Sequence, residues 1–274
     1  NYSRMIYQLF YQEVFPLNAA VIPACNEEAG ITNVLDNLSQ LDALNIIIPV
    51  LNGCTDHTRQ RALAHAAASK FALIEYPLPL GIDVPRSWGA ACALKLQADA
   101  ILFVDGDLQG EFSSCLYELL REVAEKNCDL ALTNCYPYIG YRSETAKAVS
   151  FYREQLNRKL GLFSSIGLAT PSHGPHCVSR RLLETVGTDC LSVPPLMLAK
   201  AAQANLHIRV ATRLTNHQWA SRQRGDIHNQ KIADTIIGDC IAARQYFCNQ
   251  PITREENGIQ YLGYRTLPVS AETT

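Results

Sequence analysis

Residues Ala100–Val104 form an unbroken apolar run that stops at Asp105-Gly106-Asp107. A strand with no polar face has to be covered on both sides, as inner strands of parallel α/β sheets are. Ala19–Pro23, Ile46–Leu51 and Phe71–Tyr76 read as three earlier strands. Helical periodicity separates them. Ile31, Val34, Leu35 and Leu38 share one helix face, and Ala62, Leu63, Ala66 and Ala67 lie on the next helix, which Thr55 or Asp56 can cap. Pro77, Pro79, Gly81 and Pro85 mark a loop, and a helix runs from Ser87 to about Ala98. A helix over Ser113–Lys126 and a strand over Asp129–Thr133 complete the series. This alternation predicts an α/β fold with a doubly wound, mostly parallel sheet and helices on both faces. Ligands of such sheets bind outside the carboxyl ends of the strands, and the polar clusters of this chain fall there.

The second half is less regular. Ser143–Leu160 reads as a helix with Arg153, Arg158 and Lys159 toward solvent, and Leu162–His176 as a loop. Leu182–Val186 and Leu196–Ala204 read as helices, Ile208–Leu214 as a strand, Asp226–Cys248 as a terminal helix, and Ser270–Thr274 as a loose tail.

A net charge of −2 points to neither nucleic acid nor a membrane surface as partner. No apolar run reaches the roughly 18–20 residues of a membrane span. Met5–Phe15 is apolar but interrupted by Gln8, Gln12 and Glu13, and it has no small-residue cleavage site. Asn1 rather than Met opens the chain, so a few residues are expected ahead of it. The 10 cysteines include no C-x-x-C pair; reduced core thiols in a cytoplasmic protein are the expectation.

Two carboxylates one residue apart at a strand end enter one crevice and repel each other, and a divalent cation removes that repulsion. Hard oxygen donors suit Mg²⁺ or Mn²⁺, which bridges carboxylates and substrate phosphates. The bland alternative is a turn with two aspartates around Gly106. Three further clusters precede it. Val21-Ile22-Pro23-Ala24-Cys25-Asn26-Glu27-Glu28 ends in acids that also suit a helix first turn. Asn52-Gly53-Cys54-Thr55-Asp56-His57-Thr58 is also a plausible cap with a tight glycine turn, and Arg86-Ser87-Trp88-Gly89-Ala90 lies at a loop-to-helix boundary where a phosphate can be held.

These four clusters, in this order, resemble the family-2 glycosyltransferases and their retaining relatives that make glucosyl- or mannosyl-glycerate compounds. The resemblance spans about residues 19–135 and fades toward 245. It implies a GT-A fold, Rossmann-like, with a C-terminal helical extension: a transferase domain over 1–225, divided into a nucleotide-sugar half (19–135) and an acceptor half (136–225), then a helix and tail (226–274). It implies that Pro23, Ala24, Asn26 and Glu27 line the nucleotide pocket and that Asn52, where the family has Asp, faces the base. Arg86 and Gly89 lie beside base or diphosphate. Asp105 approaches ribose or metal, Asp107 binds the metal, and His217 completes the metal site. Cys54 replaces the family's Ser. The acceptor half is signalled by His173-Gly174-Pro175-His176-Cys177-Val178-Ser179-Arg180-Arg181. Gly174, His176, Arg222 and Arg224 are its candidate acceptor residues, although loop histidines are more often just solvated.

Inverting members carry an acidic pair as general base, where this chain reads Cys190–Leu198 with Asp189 the nearest acid. A base must reach the acceptor hydroxyl, so the retaining route is favoured. Arg213, Arg222, Arg224 and Lys231 face Asp226 alone in a basic stretch that fits a lid hinged at Gly225. The expectation is therefore a cytoplasmic hexosyltransferase using a UDP- or GDP-sugar, a small and possibly anionic hydroxyl acceptor, and Mg²⁺ or Mn²⁺; a homodimer is compatible with it. The alternatives are an inverting transferase acting on a polysaccharide or lipid-linked acceptor through Asp189, and a non-catalytic nucleotide-sugar binding protein. A sugar nucleotidylyltransferase is disfavoured, because the chain lacks a glycine-rich N-terminal loop with Arg and Lys.

Overall fold

The computed structural model describes residues 16–135, 143–214 and 225–265. Strands β1 (Asn18–Ala24), β2 (Ile46–Asn52), β3 (Ile74–Tyr76) and β4 (Ala100–Phe103) alternate with helices α1 (Ile31–Ser39), α2 (Thr58–Ala64) and α3 (Val84–Lys95). Helix α4 (Ser113–Lys126) leads to β5 (Leu130–Asn134), and α5 (Glu144–Lys159) and the short α6 (Phe163–Ile166) follow. Then come β6 (His176–Ser179), α7 (Arg180–Val186), a 3₁₀ turn (Asp189–Ser192), α8 (Pro194–Gln203), β7 (Ile208–Arg213) and the long α9 (Asp226–Phe247). A hairpin of β8 (Glu255–Glu256) and β9 (Ile259–Gln260) closes the described chain.

The main sheet has the order β3-β2-β1-β4-β6-β5-β7. Every pairing is parallel except those of β6, which runs antiparallel to both β4 and β5. The period-two alternation of a strand divides the core between the two faces. Ala19 and Val21 of β1 face Ala90 and Ala93 of α3 together with Met197 and Leu198 of α8. Ala20, Ile22 and Ala24 face Ile31, Val34 and Leu35 of α1 together with Leu116 and Leu119 of α4. Six of the cysteines, at 115, 128, 135, 177, 190 and 240, are buried as thiols. Among the described residues no helix is long and apolar enough to cross a membrane.

The structure departs from the sequence expectations in three places. The stretch read as a loop up to His176 holds α6 and then delivers β6 into the sheet between β4 and β5. A four-residue strand buried on both faces has no alternation to betray it. Arg153, expected at the surface, is 1% exposed. It falls on the buried stripe of α5 with Val149, Leu156 and Asn157, at the spacing that puts residues on one helix face. The terminal hairpin was also not expected, although Asn257-Gly258, both at positive φ (53° and 76°), is the type I′ signature. Met5–Phe15, the 270–274 tail, His217, Arg222 and Arg224 lie outside the described residues.

Candidate active site

The ends of β1, β2 and β4 share one edge of the sheet, and the first two polar clusters are laced together there. Asn26 takes a left-handed conformation (φ 59°), which Asn tolerates better than most residues. Its Oδ1 accepts from the N–H of Thr55 at 2.7 Å and of Asp56 at 3.3 Å. Asp56 returns the contact, with Oδ2 accepting from the Glu28 N–H at 3.1 Å and Oδ1 from the Thr58 N–H at 2.9 Å. The buried Glu27 donates its N–H to Thr58 Oγ1 at 2.7 Å. Burial pushes the Asp56 carboxyl upward, but the bonds from Thr58 and Glu28 outweigh it and hold the group below the usual range. Asp56 thus serves as a clamp between two loops more than as a helix cap.

Asn52 is buried and both ends of its amide are engaged: Nδ2 donates to Gly81 O at 2.8 Å and Oδ1 accepts from the Leu80 N–H at 2.7 Å. It shapes the 77–83 loop. An amide can do this where a carboxylate cannot, because one end must donate. Gly53 (φ 66°) admits Pro79 so closely that a Cβ would lie 2.5 Å from the proline.

The Asp105-Gly106-Asp107 turn is seated on the end of β1. Gly106 N–H donates to Pro23 O at 3.1 Å, so the β1–β4 pairing continues past the strand itself. A Cβ on Gly106 would lie 3.1 Å from both Pro23 O and Ala24 Cβ, and one on Gly30, at the start of α1, would lie 2.8 Å from Gly106 O. Pro23 and Ala24 are buried and form this seat, and Gly30 brings α1 hard against the turn. Asn33 and Asn37 of α1, which sequence reasoning passed by, hold the 108–112 loop. Asn37 Nδ2 donates to Gly110 O at 3.0 Å, and its Oδ1 accepts from the Phe112 N–H at 2.8 Å. Their i, i+4 spacing inside an apolar helix was the available signal.

Arg86 is buried and bridges two carboxylates, with Nη1 on Asp83 and Nη2 on Asp105. Burial works against its charge, but Asp105, Asp83 and Asp107 outweigh it and keep the guanidinium firmly protonated. Asp83 was not singled out in the sequence, yet it is buried beneath the site. Gly89 is used for packing: a Cβ there would sit 2.2 Å from Val21 Cγ1. It lets α3 lie on β1.

His176 begins β6 opposite Phe103, with the two rings stacked at 5.0 Å and 11°. It is 2% exposed, so the expectation of a solvated loop histidine is corrected. Burial first, and the charge of Arg86 second, depress its pKa to about 3. The Gly174 backbone acts the other way and favours the charged ring, but it does not offset the burial. Just ahead, Gly174 (φ 77°) lies so close to Cys135 that a Cβ would be 2.6 Å from Sγ, and Thr133 Oγ1 donates to Pro175 O at 2.6 Å. The 173–176 segment is thereby pinned to the end of β5, beside the aspartate turn. Arg180 and Arg181 pair instead with Asp99 (3.1 Å) and Asp129 (2.5 Å) at the opposite edge of the sheet, because β6 runs antiparallel. Asp189 is exposed, at the start of the 3₁₀ turn.

The order of these clusters and the edge they share agree with what comparison finds. Residues 19–187 match the model of glycosyl transferase family 2. The chain belongs to that family. This family-2 chain is a glycosyltransferase with the GT-A fold. Its fold is shared with glucosyl-3-phosphoglycerate synthase from Mycobacterium tuberculosis. In complex with Mg²⁺ and UDP, that enzyme superposes with a TM-score of 0.65 at 19% identity, over 90% of this chain and 84% of that one. In complex with Mn²⁺, UDP-glucose and glycerol 3-phosphate, the values are 0.63, 21%, 93% and 88%. In complex with Mn²⁺, UDP and phosphoglyceric acid they are 0.64, 20%, 90% and 83%. No curated protein matches the chain by sequence.

Proposed function

We propose that this family-2 enzyme transfers a hexosyl group from a UDP-sugar, ahead of a GDP-sugar, to a small anionic hydroxyl acceptor, with Mg²⁺ or Mn²⁺ and with retention. Residues 19–135 would form the donor half and 136–225 the acceptor half. The observation that carries this is the seating of Asp105-Gly106-Asp107 on Pro23 and Ala24, with Arg86 against Asp105. The donor set fits a cation shared with a substrate. Among the described residues no three His, Cys, Asp or Glu groups form a closed metal cage. Mg²⁺ is commonly held by one or two carboxylates and completed by substrate phosphates and water. Asp107 and Asp105 would hold it, with His217 as a third ligand, and it would supply neutralisation of the departing diphosphate.

The chain's own residues do the rest. Asn26, Glu27 and Asp56 fix the loop against which the nucleotide lies, and Asn52 sets the 77–83 loop on its other side. Arg86 keeps Asp105 oriented. The pinned 173–176 segment brings Gly174 beside the reacting centre, with His176 buried and neutral as its footing. Arg222 and Arg224 would meet an anionic acceptor. In front-face transfer the leaving phosphate oxygen takes the acceptor's proton, so no enzymatic base is needed.

The test is a melting experiment with UDP and GDP, each with and without Mn²⁺. A ligand at a hundredfold over its Kd stabilises by about 2.7 kcal/mol. UDP with Mn²⁺ should raise the Tm most, and no shift with any combination would defeat the reading. Binding without turnover on a panel of UDP-sugars and glycerate-type acceptors would move it to the non-catalytic alternative.

A further inference from the structure

Asp105 is one end of a series of alternating charges that leaves the donor edge and ends in the C-terminal segment. Arg86 joins Asp105 to Asp83. Asp83 Oδ2 accepts from Arg265 Nη2 at 2.7 Å, and the same nitrogen lies 2.9 Å from Asp239 Oδ2. Asp239, on α9, also pairs with Arg254. The side chains of Asp83, Asp239, Arg254 and Arg265 are 10%, 2%, 9% and 14% exposed.

The segment that supplies Arg254 and Arg265 is fitted to α9 with little tolerance. A Cβ on Gly238 would lie 2.1 Å from Tyr261 O, and one on Gly263 would lie 2.2 Å from Thr235 Oγ1. Arg254, at φ 59°, also donates to Tyr261 O at 3.0 Å and to Thr235 O at 3.1 Å. Buried ion pairs of this kind roughly break even against apolar packing, so stability alone is a weak reason for them. Arg265 lies 182 residues from Asp83 in sequence and beyond the 19–187 family match. A feature outside the shared domain therefore reaches a carboxylate at its centre.

We propose that Arg265 is a positioning residue for the donor site: by holding Asp83 it sets where Arg86 sits, and so how Asp105 is presented to a cation and a diphosphate. Without Arg265, Asp83 has Arg86 as its remaining cation of the series. The guanidinium is drawn toward Asp83, and Asp105 loses the contact that orients it. This rests on the reading of Asp105 and Asp107 as the metal-diphosphate site.

Titration calorimetry of UDP with and without Mn²⁺ tests it without requiring turnover. The quantity read is the gain in UDP affinity on adding Mn²⁺. In Arg265→Gln that gain should fall roughly tenfold, within the range for coupling through a charged network. Arg265→Lys keeps the charge but not the planar fork and should lose roughly threefold, which also carries the test should the Gln variant not fold. Arg244→Gln breaks the Arg244–Glu256 pair that braces the same hairpin outside the series; it should lower the Tm and leave the gain unchanged. An unchanged gain in the folded Arg265 variants, or an equal loss in Arg244→Gln, overturns the proposal. A wild-type protein with no Mn²⁺ gain, or an Asp107→Asn protein that keeps it, overturns the donor-site reading and this proposal with it. A gain lost in Asp107→Asn but intact in both Arg265 variants overturns this proposal alone.

Discussion

The part from β1 to β5, proposed as the donor half, and the part from α5 to the hairpin are built from similar elements but place polar groups differently. In the first, β1, β2 and β4 are apolar between their ends and polar residues gather where they finish: Asn26, Asn52 and Asp105 each lie at or within two residues of a strand end, and Asn37 and Arg86, set into α1 and α3, contact the loops at that same edge. In the second, polar residues are set into the elements themselves. Arg153 and Asn157 lie on the buried stripe of α5, Asp239 is buried in α9, and His176 opens β6. A parallel sheet sends its loops to one edge, so the function of the first part collects at that edge. The second part has to close the sheet with an antiparallel strand and brace it with buried polar contacts.

The largest test of this contrast is Asp107→Asn. If the strand-end carboxylates carry chemistry, the change removes one charge at the centre while the seat on Pro23 and Ala24 remains. Turnover should fall by roughly a hundredfold or more, as when one preorganised electrostatic group is removed from an active site, with an unaltered circular dichroism spectrum. Wild-type turnover would reduce the motif to a turn.

His176 offers the counterpart in the second part. Its pKa, near 6.5 unfolded and about 3 folded, means the unfolded chain binds more protons between those values. The neutral ring's contribution is therefore fully present above pH 6.5 and is lost as pH falls toward 3. Across that window the proton taken up by the unfolded chain alone makes stability fall as the pH is lowered. His176→Phe keeps a ring on Phe103 without a titrating group. Urea unfolding from pH 6.5 to 4.5 should give wild type the steeper decline, and parallel declines would mean that water reaches the ring.

The aspartate edge was legible because its residue types and spacing survive without knowledge of neighbours: an apolar run, then Asp-x-Asp, is written in one stretch of chain. Asp83 and Arg265 were not legible as partners. Each is an ordinary charged residue in sequence, and their pairing exists only once α3 and the C-terminal segment meet. β6 was hidden for a related reason, since four residues buried on both faces carry no period, and a following Arg pair suggested a site where there is a brace. Asn52 was readable as a departure from Asp, but its reason required seeing that the 77–83 loop offers it both a donor and an acceptor.

Two glycines sharpen the comparison at smaller scale. Gly89→Ala drives a Cβ into Val21, whose χ1 is stiff and whose strand is central. A cost of about 1–3 kcal/mol is expected, visible as a lower Tm for the whole protein. Gly238→Ala meets Tyr261 O and Arg254 instead, and the hairpin can lift away. It should change the Tm less while accelerating hydrogen exchange over residues 253–262. Equal effects on Tm would show that the hairpin unfolds with the sheet and that the two parts are one cooperative unit.

The smallest expected effect is the one that decides stereochemistry. Asp189 is the acid nearest to where inverting relatives keep their base, and it is exposed at the start of the 3₁₀ turn. A general base must come within hydrogen-bond reach of the acceptor hydroxyl. The pinned Gly174 segment, by contrast, lies at the aspartate edge, where on the proposed retaining route a leaving phosphate oxygen would take the proton itself. Asp189→Asn should therefore change kcat by less than about twofold, against the roughly 10²–10⁴-fold loss that follows removal of a true acid–base catalyst. Proton NMR of the first-formed product should show the donor's anomeric configuration preserved. An inactive Asp189→Asn protein with wild-type melting, or an inverted first product, would assign the reaction to the inverting route and make the 3₁₀ turn part of the active site.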